Sequence, residues 1–117
     1  MGDIYFVKLF DSNTSAQYGT RPCIIAQESY ALRNTDMVWV IPLTSKIKAL
    51  HLPVHVVIGK DHMNGLKCDS MTLVESMAYV HKNCLGNKIG KVSAKYLKLI
   101  GNAIINQFPM SKFAMAS

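Results

Sequence analysis

Apolar and polar positions alternate from the first residues of the chain. Asp3 to Leu9 sets Ile4, Phe6 and Lys8 against Tyr5, Val7 and Leu9, a period of two in aromatic and β-branched residues that predicts a strand. The polar stretch Asp11 to Thr20, DSNTSAQYGT, predicts a surface loop, long for a hairpin and therefore a candidate functional segment. Arg21-Pro22 opens a second strand, Cys23 to Gln27, where proline is tolerated because a strand's first residues need not donate. A polar turn around Arg33 to Asp36 leads to Met37 to Leu43, MVWVIPL, the most apolar run of the chain. It predicts a buried strand, with Pro42 marking an edge or a bulge.

Pro53 to Ile58 predicts a fourth strand, and the glycines Gly59 and Gly65 a turn after it. Ser70 to Val80 predicts a fifth strand interrupted at its centre by Glu75, and Lys88 to Val92 a short sixth. Ser93 to Phe108 predicts one helix: Ser93 is a good N-cap, Leu97, Ile100, Ile104 and Phe108 form a stripe, and Pro109 ends it. Several short strands followed by a helix predict a mainly β (α+β) fold, a small barrel or sandwich capped at its C-terminal end.

Composition narrows the class. At 117 residues there is room for one domain. Half of the residues are hydrophobic and 17% are charged, which excludes disorder. The opening MGDIYFVKLF has no basic start, long apolar stretch or cleavage site, and no apolar run nears the ~20 residues of a membrane helix. Phe6 stands where a myristoylation motif requires Ser or Thr. Cys23, Cys68 and Cys84 share no CxxC spacing and read as reduced thiols of a cytoplasmic protein. The net charge of +6 is compatible with a solvated basic surface and equally with a nucleic-acid partner.

Most local chemistry is excluded by geometry. His51 and His55 have the spacing of a helical zinc pair, but Pro53 lies between them and the segment is strand-like. Four strand residues span ~13 Å, too far for two imidazoles on one metal, so both histidines are expected at the surface and no metal site is expected. GNKIGK, Gly86 to Lys91, is one residue short of a phosphate loop and lacks its Ser or Thr. Arg21, Thr44 and Glu75 remain, each where the local pattern does not require it. Taken singly, each also fits an ordinary role: a surface charge, a strand-end residue and the solvent face of a strand.

Together they sit in a longer pattern. GDIYFVKL, SAQYGTRPCIIAQ, VWVIPLTSKIKALHLPVHVVI and GLKCDSMTLVESMAYVHKNCL follow one another in the order and spacing of the MazF/PemK family of toxin ribonucleases (mRNA interferases), which this chain resembles from Gly2 to about Phe108. The resemblance implies a single SH3-like barrel with a C-terminal helix over residues 1–108, a flexible tail over 109–117, and a cytoplasmic homodimer. It implies metal-independent, cofactor-free cleavage of single-stranded RNA at short sequences, with an acidic antitoxin segment competing for the RNA groove. In that family the Arg of the Arg-Pro motif and the Thr or Ser ending the third strand carry the chemistry; here they are Arg21 and Thr44.

Those residue types suit the reaction. Cleavage by the substrate's own 2′-hydroxyl passes through a phosphorane with extra negative charge. A guanidinium fork grips phosphate oxygens, and a hydroxyl donates to one or orients the nucleophile. The group that takes the 2′ proton is left open. Gln17, Tyr18 and Thr20 of the loop are expected to stack on or bond to bases, Lys46 and Lys48 to hold flanking phosphates, and Glu75 and Ser76 to lie near the base-reading surface. Three departures from the family bear on target sequence rather than activity: Ala16 replaces an acidic residue, Tyr18 a small one, and Ser76 a glutamine. The alternatives are a non-catalytic toxin that binds DNA gyrase, like the gyrase poison CcdB on the same barrel, and a barrel that binds RNA without cutting it.

Overall fold

A computed structural model of the chain describes residues 1–9, 19–28, 35–47 and 55–107. Seven strands appear in it: β1 (Asp3–Leu9), β2 (Gly19–Ile25), β3 (Met37–Thr44), β4 (Val57–Ile58), β5 (Ser70–Thr72), β6 (Ala78–His81) and β7 (Leu85–Lys91). Helix α1 (Ala94–Gln107) follows them. The sheet runs β4-β5-β3-β2-β1-β7, with β6 also on β3, and every pairing is antiparallel. It curls into a half-barrel with α1 against one face.

The sheet is apolar on both faces, which explains the unbroken apolar run of β3. Ile4, Ile24, Ile41 and Leu43 point to one side, where they pack with Ile58, Val74, Ile100 and Ala103. Val7, Cys23, Ile25, Val38 and Val40 point to the other and form a second core. Burial of each such side chain stabilises the fold by about 1.5–3 kcal/mol. The predicted helix stripe holds: Ile100 is buried, and Leu97 and Ile104 pack against the first core. Phe108 lies outside the described residues. The N–H of Leu97 donates to the Ser93 carbonyl at 3.0 Å, which places Ser93 at the helix start. Gly2 bonds to Ile25 and Val92 through its backbone at φ +88°, a left-handed conformation that favours glycine, with the Leu97 side chain of α1 packed close over it.

The predicted fifth strand, Ser70 to Val80, is corrected. β5 ends at Thr72 opposite Leu43, and β6 begins at Ala78 opposite Val40. Five residues, Leu73 to Met77, thus face only two, Ile41 and Pro42. The surplus leaves the sheet as a 3₁₀ turn, Val74–Ser76, with Val74 buried as its anchor. Glu75 is on this turn, not on the solvent face of a strand. Bulges of this kind re-aim side chains.

Pro42 is likewise not at an edge. Its carbonyl accepts from the N–H of Leu73 at 2.9 Å, so its backbone faces the side where the turn leaves the ladder and where no donor is required. Pro22 does the complementary job on β2. Ala26 donates to the Trp39 carbonyl at 3.0 Å, so even-numbered residues of β2 face β3. The pairing ends at Cys23–Pro42. The next rung, Pro22 with Leu43, lacks its N–H. β2 continues on β1 through Phe6–Pro22 and Val7–Arg21, while β3 turns to β5 through Leu43–Thr72 and Thr44–Met71.

Pro22→Ala restores the missing donor. The substituted residue's amide should become protected from hydrogen exchange by a new bond to Leu43, with stability changed by less than about 1 kcal/mol. An amide at position 22 that still exchanges freely would show that something other than proline holds the strands apart.

Candidate functional site

Where β2 and β3 part, their side chains border a groove: Arg21 and Thr44 are distant in the chain and adjacent in register.

 The pair sums that hold for Cys23–Pro42 and Ile24–Ile41 place Arg21 opposite Thr44, two residues past the last rung and on the same face of the sheet. With the rung between them missing, both side chains border an opening. They line one groove of about 670 Å³, which also takes in Phe6, Lys46, His55, Lys67 and Glu75.

The far wall is the turn between β4 and β5, fixed by a buried asparagine. The Asn64 side chain accepts from the N–H groups of Asp61 and Leu66 at 3.1 and 3.0 Å and donates to the Gly59 carbonyl at 2.8 Å. Gly65 has φ +66°, and a Cβ there would strike the carbonyl of Ile89. This wall carries Lys67 and Cys68 into the groove.

Thr44 is half-buried, and its Oγ1 accepts from the N–H of Lys46 at 3.1 Å. That bond fixes the oxygen and leaves the hydroxyl proton to be donated. Arg21 is half-buried beside Cys23, whose thiol donates to the Arg21 carbonyl at 3.6 Å. Burial pushes the Cys23 thiol from 9.0 up to about 12, against the opposing pull of the Arg21 guanidinium.

His55 is not the surface residue expected from the sequence. Its side chain is 8% exposed and its Nε2 lies 2.6 Å from Glu75 Oε2, while Glu75 is 33% exposed. Glu75 therefore has His55 as its partner and stands at the groove side of the pair. The segment before β4 is tied down by two bonds: Val56 N–H to Thr72 Oγ1, and Thr72 N–H to the Val56 carbonyl, both 2.9 Å. His55 is the residue that reasoning from periodicity missed; the Leu-Pro-x-His-Val stretch of the family pattern was the signal for it.

Of the remaining expected site residues, Thr20 is exposed on β2, Lys46 is exposed just past β3, and Ser76 closes the 3₁₀ turn at the groove. Gln17, Tyr18, Lys48 and His51 lie outside the described residues, as does the tail 109–117. No helix among the described residues is long and apolar enough to cross a membrane.

These features define a class: a helix-capped β half-barrel with a cationic groove where two central strands diverge. Residues 1–108 match the family model of the PemK-like, MazF-like toxin of type II toxin–antitoxin systems. The chain is 34% identical over 103 residues to the Endoribonuclease MazF of Staphylococcus saprophyticus, covering 88% of this chain and 85% of that protein. In three dimensions it is similar to the Mycobacterium tuberculosis toxin MazF-mt6, with TM-score 0.76, 22% identity, and coverage of 92% of this chain and 96% of that one. It is also similar to a mycobacterial endoribonuclease in complex with its cognate antitoxin, with TM-score 0.74, 20% identity and 92% of each chain covered. The chain belongs to the PemK-like, MazF-like toxin family.

The thiols give a direct check on the site's local environment. At about pH 8, iodoacetamide should modify exposed Cys68, at the groove, and spare Cys23 until the chain unfolds, as read by mass spectrometry. Between 9.0 and about 12 the unfolded chain loses the Cys23 proton that the folded chain keeps, so this thiol lowers stability as pH rises through that window. Labelling of Cys23 in the folded protein at the rate of Cys68 would contradict its burial.

Proposed function

We propose that this MazF-like toxin endoribonuclease cleaves single-stranded RNA, mRNA included, at short specific sequences, using the substrate's 2′-hydroxyl as nucleophile. The products are a 2′,3′-cyclic phosphate and a 5′-hydroxyl end, and the reaction needs no metal ion. The observation that carries this reading is the meeting of Arg21 and Thr44 across one groove, on strands held apart by a missing rung.

In this mechanism the Arg21 guanidinium spans two phosphate oxygens and offsets the charge that builds on the phosphorane. The Thr44 hydroxyl, its acceptor side already engaged by Lys46, donates to a phosphate oxygen. Lys46 and Lys67 provide positive potential on both walls for flanking phosphates, joined by Lys48. Gln17, Tyr18, Thr20, Glu75 and Ser76 read or stack on bases. A cationic groove of this kind also suits an acidic segment of a cognate antitoxin, which would silence the enzyme by occupying it. The working form is a homodimer in the cytoplasm, built from one barrel-and-helix domain over residues 1–108 with a flexible tail over 109–117.

Purified protein should cut a long mixed-sequence RNA in EDTA, and a single 2′-deoxy nucleotide at the scissile position should block the cut. Cleavage of that deoxy substrate, or a strict requirement for Mg²⁺, would refute the mechanism. Arg21→Ala should lower the cleavage rate by about 100–1,000-fold and abolish toxicity while circular dichroism stays unchanged. Full toxicity in that variant would point instead to a partner-binding toxin of the gyrase-poison kind, which has no use for the Arg21–Thr44 pair.

A further inference from the structure

The opening between β2 and β3 joins side chains that a closed sheet keeps on opposite faces. By strand alternation Arg21 and Thr44 belong to the face of the second core, with Cys23 and Val40. Pro22 and Leu43 belong to the face of the first, with Ile24 and Ile41. All four line the groove, and so does Phe6, the cross-strand partner of Pro22. The groove therefore combines a cationic set, Arg21, Lys46 and Lys67, with an apolar set, Phe6, Pro22, Leu43 and Ile89. Phosphates alone have no use for the second set, and apolar surface left open to water is unfavourable. Phe6 stands out within it. Ile4 and Val7 on the same strand are wholly buried, while Phe6 is half-buried. Tyr5 pairs with Lys88 and Val7 with Leu85, so Phe6 faces two residues of β7, Gly86 and Asn87. This bulge sets Gly86 so close that a Cβ there would lie 3.1 Å from the Phe6 carbonyl. Neither Gly86 nor Pro22 carries a long side chain that could fold over the ring.

From this arrangement we infer that Phe6 is a base-binding residue. When Arg21 holds the scissile phosphate, one of the two bases flanking it leaves its stack and lies on the Phe6 ring, edged by Leu43 and Ile89. This deepens the reading above and rests on RNA being the substrate. A nucleotide has the same division as the groove, a charged phosphate joined to a flat base with a π-face. The register supports the reach. Arg21 pairs with Val7, next to Phe6. With paired strands ~4.8 Å apart and ~3.4 Å per residue, the guanidinium and the ring spring from positions roughly 6 Å apart, the scale of the ribose that joins a base to its phosphate. A nucleotide also suits the pocket better than an apolar anchor of a protein partner, because it brings its own anion to Arg21, Lys46 and Lys67 in the same groove. Ring stacking accepts any base, so Phe6 supplies grip beside the cut and leaves sequence choice to groups that bond to base edges. It holds the substrate alike before and during the reaction, so its effect falls on KM.

The test uses the full chain and short RNAs carrying the mapped cut site, made non-cleavable by a 2′-deoxy nucleotide at the scissile position. Each RNA is either intact or abasic at the nucleotide just 5′ or just 3′ of the scissile phosphate. The wild type should bind one of the two abasic RNAs about 5–150-fold more weakly than the intact one, the range a stacked base supplies. Phe6→Leu keeps an apolar side chain and removes the ring. It should bind intact RNA more weakly by a similar factor, with circular dichroism unchanged, and lose nothing further on that abasic RNA. Phe6→Trp should restore both the affinity and the sensitivity to the missing base. On cleavable RNA the Phe6→Leu loss should appear in KM, with kcat within about threefold of the wild type. A wild type that cuts RNA but binds both abasic RNAs within about twofold of the intact one overturns this inference alone, a result that needs no folded variant. Phe6→Leu that remains as sensitive to the missing base as the wild type also overturns it, since the base then lies elsewhere. A wild type that neither binds nor cuts RNA overturns the RNA reading and this inference with it.

Discussion

The end of β3 is asked to pair with more neighbours than a strand can serve, and the site follows from how that conflict is resolved. On one side β2 must leave it, and Pro22 lacks the N–H that the next rung would use. On the other side β6 gives way to β5 with surplus chain between them, and Pro42 lacks an N–H at that point too. A buried, unpaired amide would cost about 1–3 kcal/mol, so a strand with ordinary residues at both positions would be driven to close the gaps. Proline removes the donor and with it the drive. The chain thus keeps an opening in the middle of a well-packed sheet, where an opening would otherwise be expensive.

The same arrangement makes the chemistry rigid. Arg21 and Thr44 are on strands whose inward neighbours are wholly buried: Cys23 and Ile25 on β2, Val38 and Val40 on β3. Glu75 follows buried Val74, and His55 precedes buried Val56. Each of these four side chains is therefore one or two residues from an apolar anchor. Groups that must act on a single phosphodiester gain from this, because a small misplacement costs more rate than a lost contact. The Cys23 thiol shows how dry this anchoring layer is, since burial outweighs the adjacent guanidinium in setting its proton affinity.

Much of the scaffold was legible in the sequence because the signals were local. The alternation in Asp3 to Leu9, the apolar run in Met37 to Leu43 and the stripe of Leu97, Ile100 and Ile104 each report burial within one element. The split of Ser70 to Val80 was not legible. It arises from a mismatch in register between two strands and β3, and no single segment carries that information. The apolar residues of the 3₁₀ turn look the same as those of a strand. His55 was hidden for a related reason: PVHVVI reads as a strand with a polar outward position, and only the partner twenty residues on turns that position inward. Arg21 and Thr44 were singled out by breaking their local pattern, but it took the family resemblance to join them, and the register to explain why they meet.

The proposed roles separate chemistry from target choice. The reacting groups proposed here come from the sheet, where a substitution disturbs a packed core. The expected base readers Gln17 and Tyr18 come from a polar stretch, DSNTSAQYGT, whose composition places no comparable demand on the fold. The departures from the family pattern fall at the readers' positions, at Ala16, Tyr18 and Ser76, while Arg21-Pro22, Thr44 and Glu75 keep to it. On the proposed roles, such a scaffold would change the sequence it cuts through a loop and one turn residue, without reopening the question of how two strands are held apart.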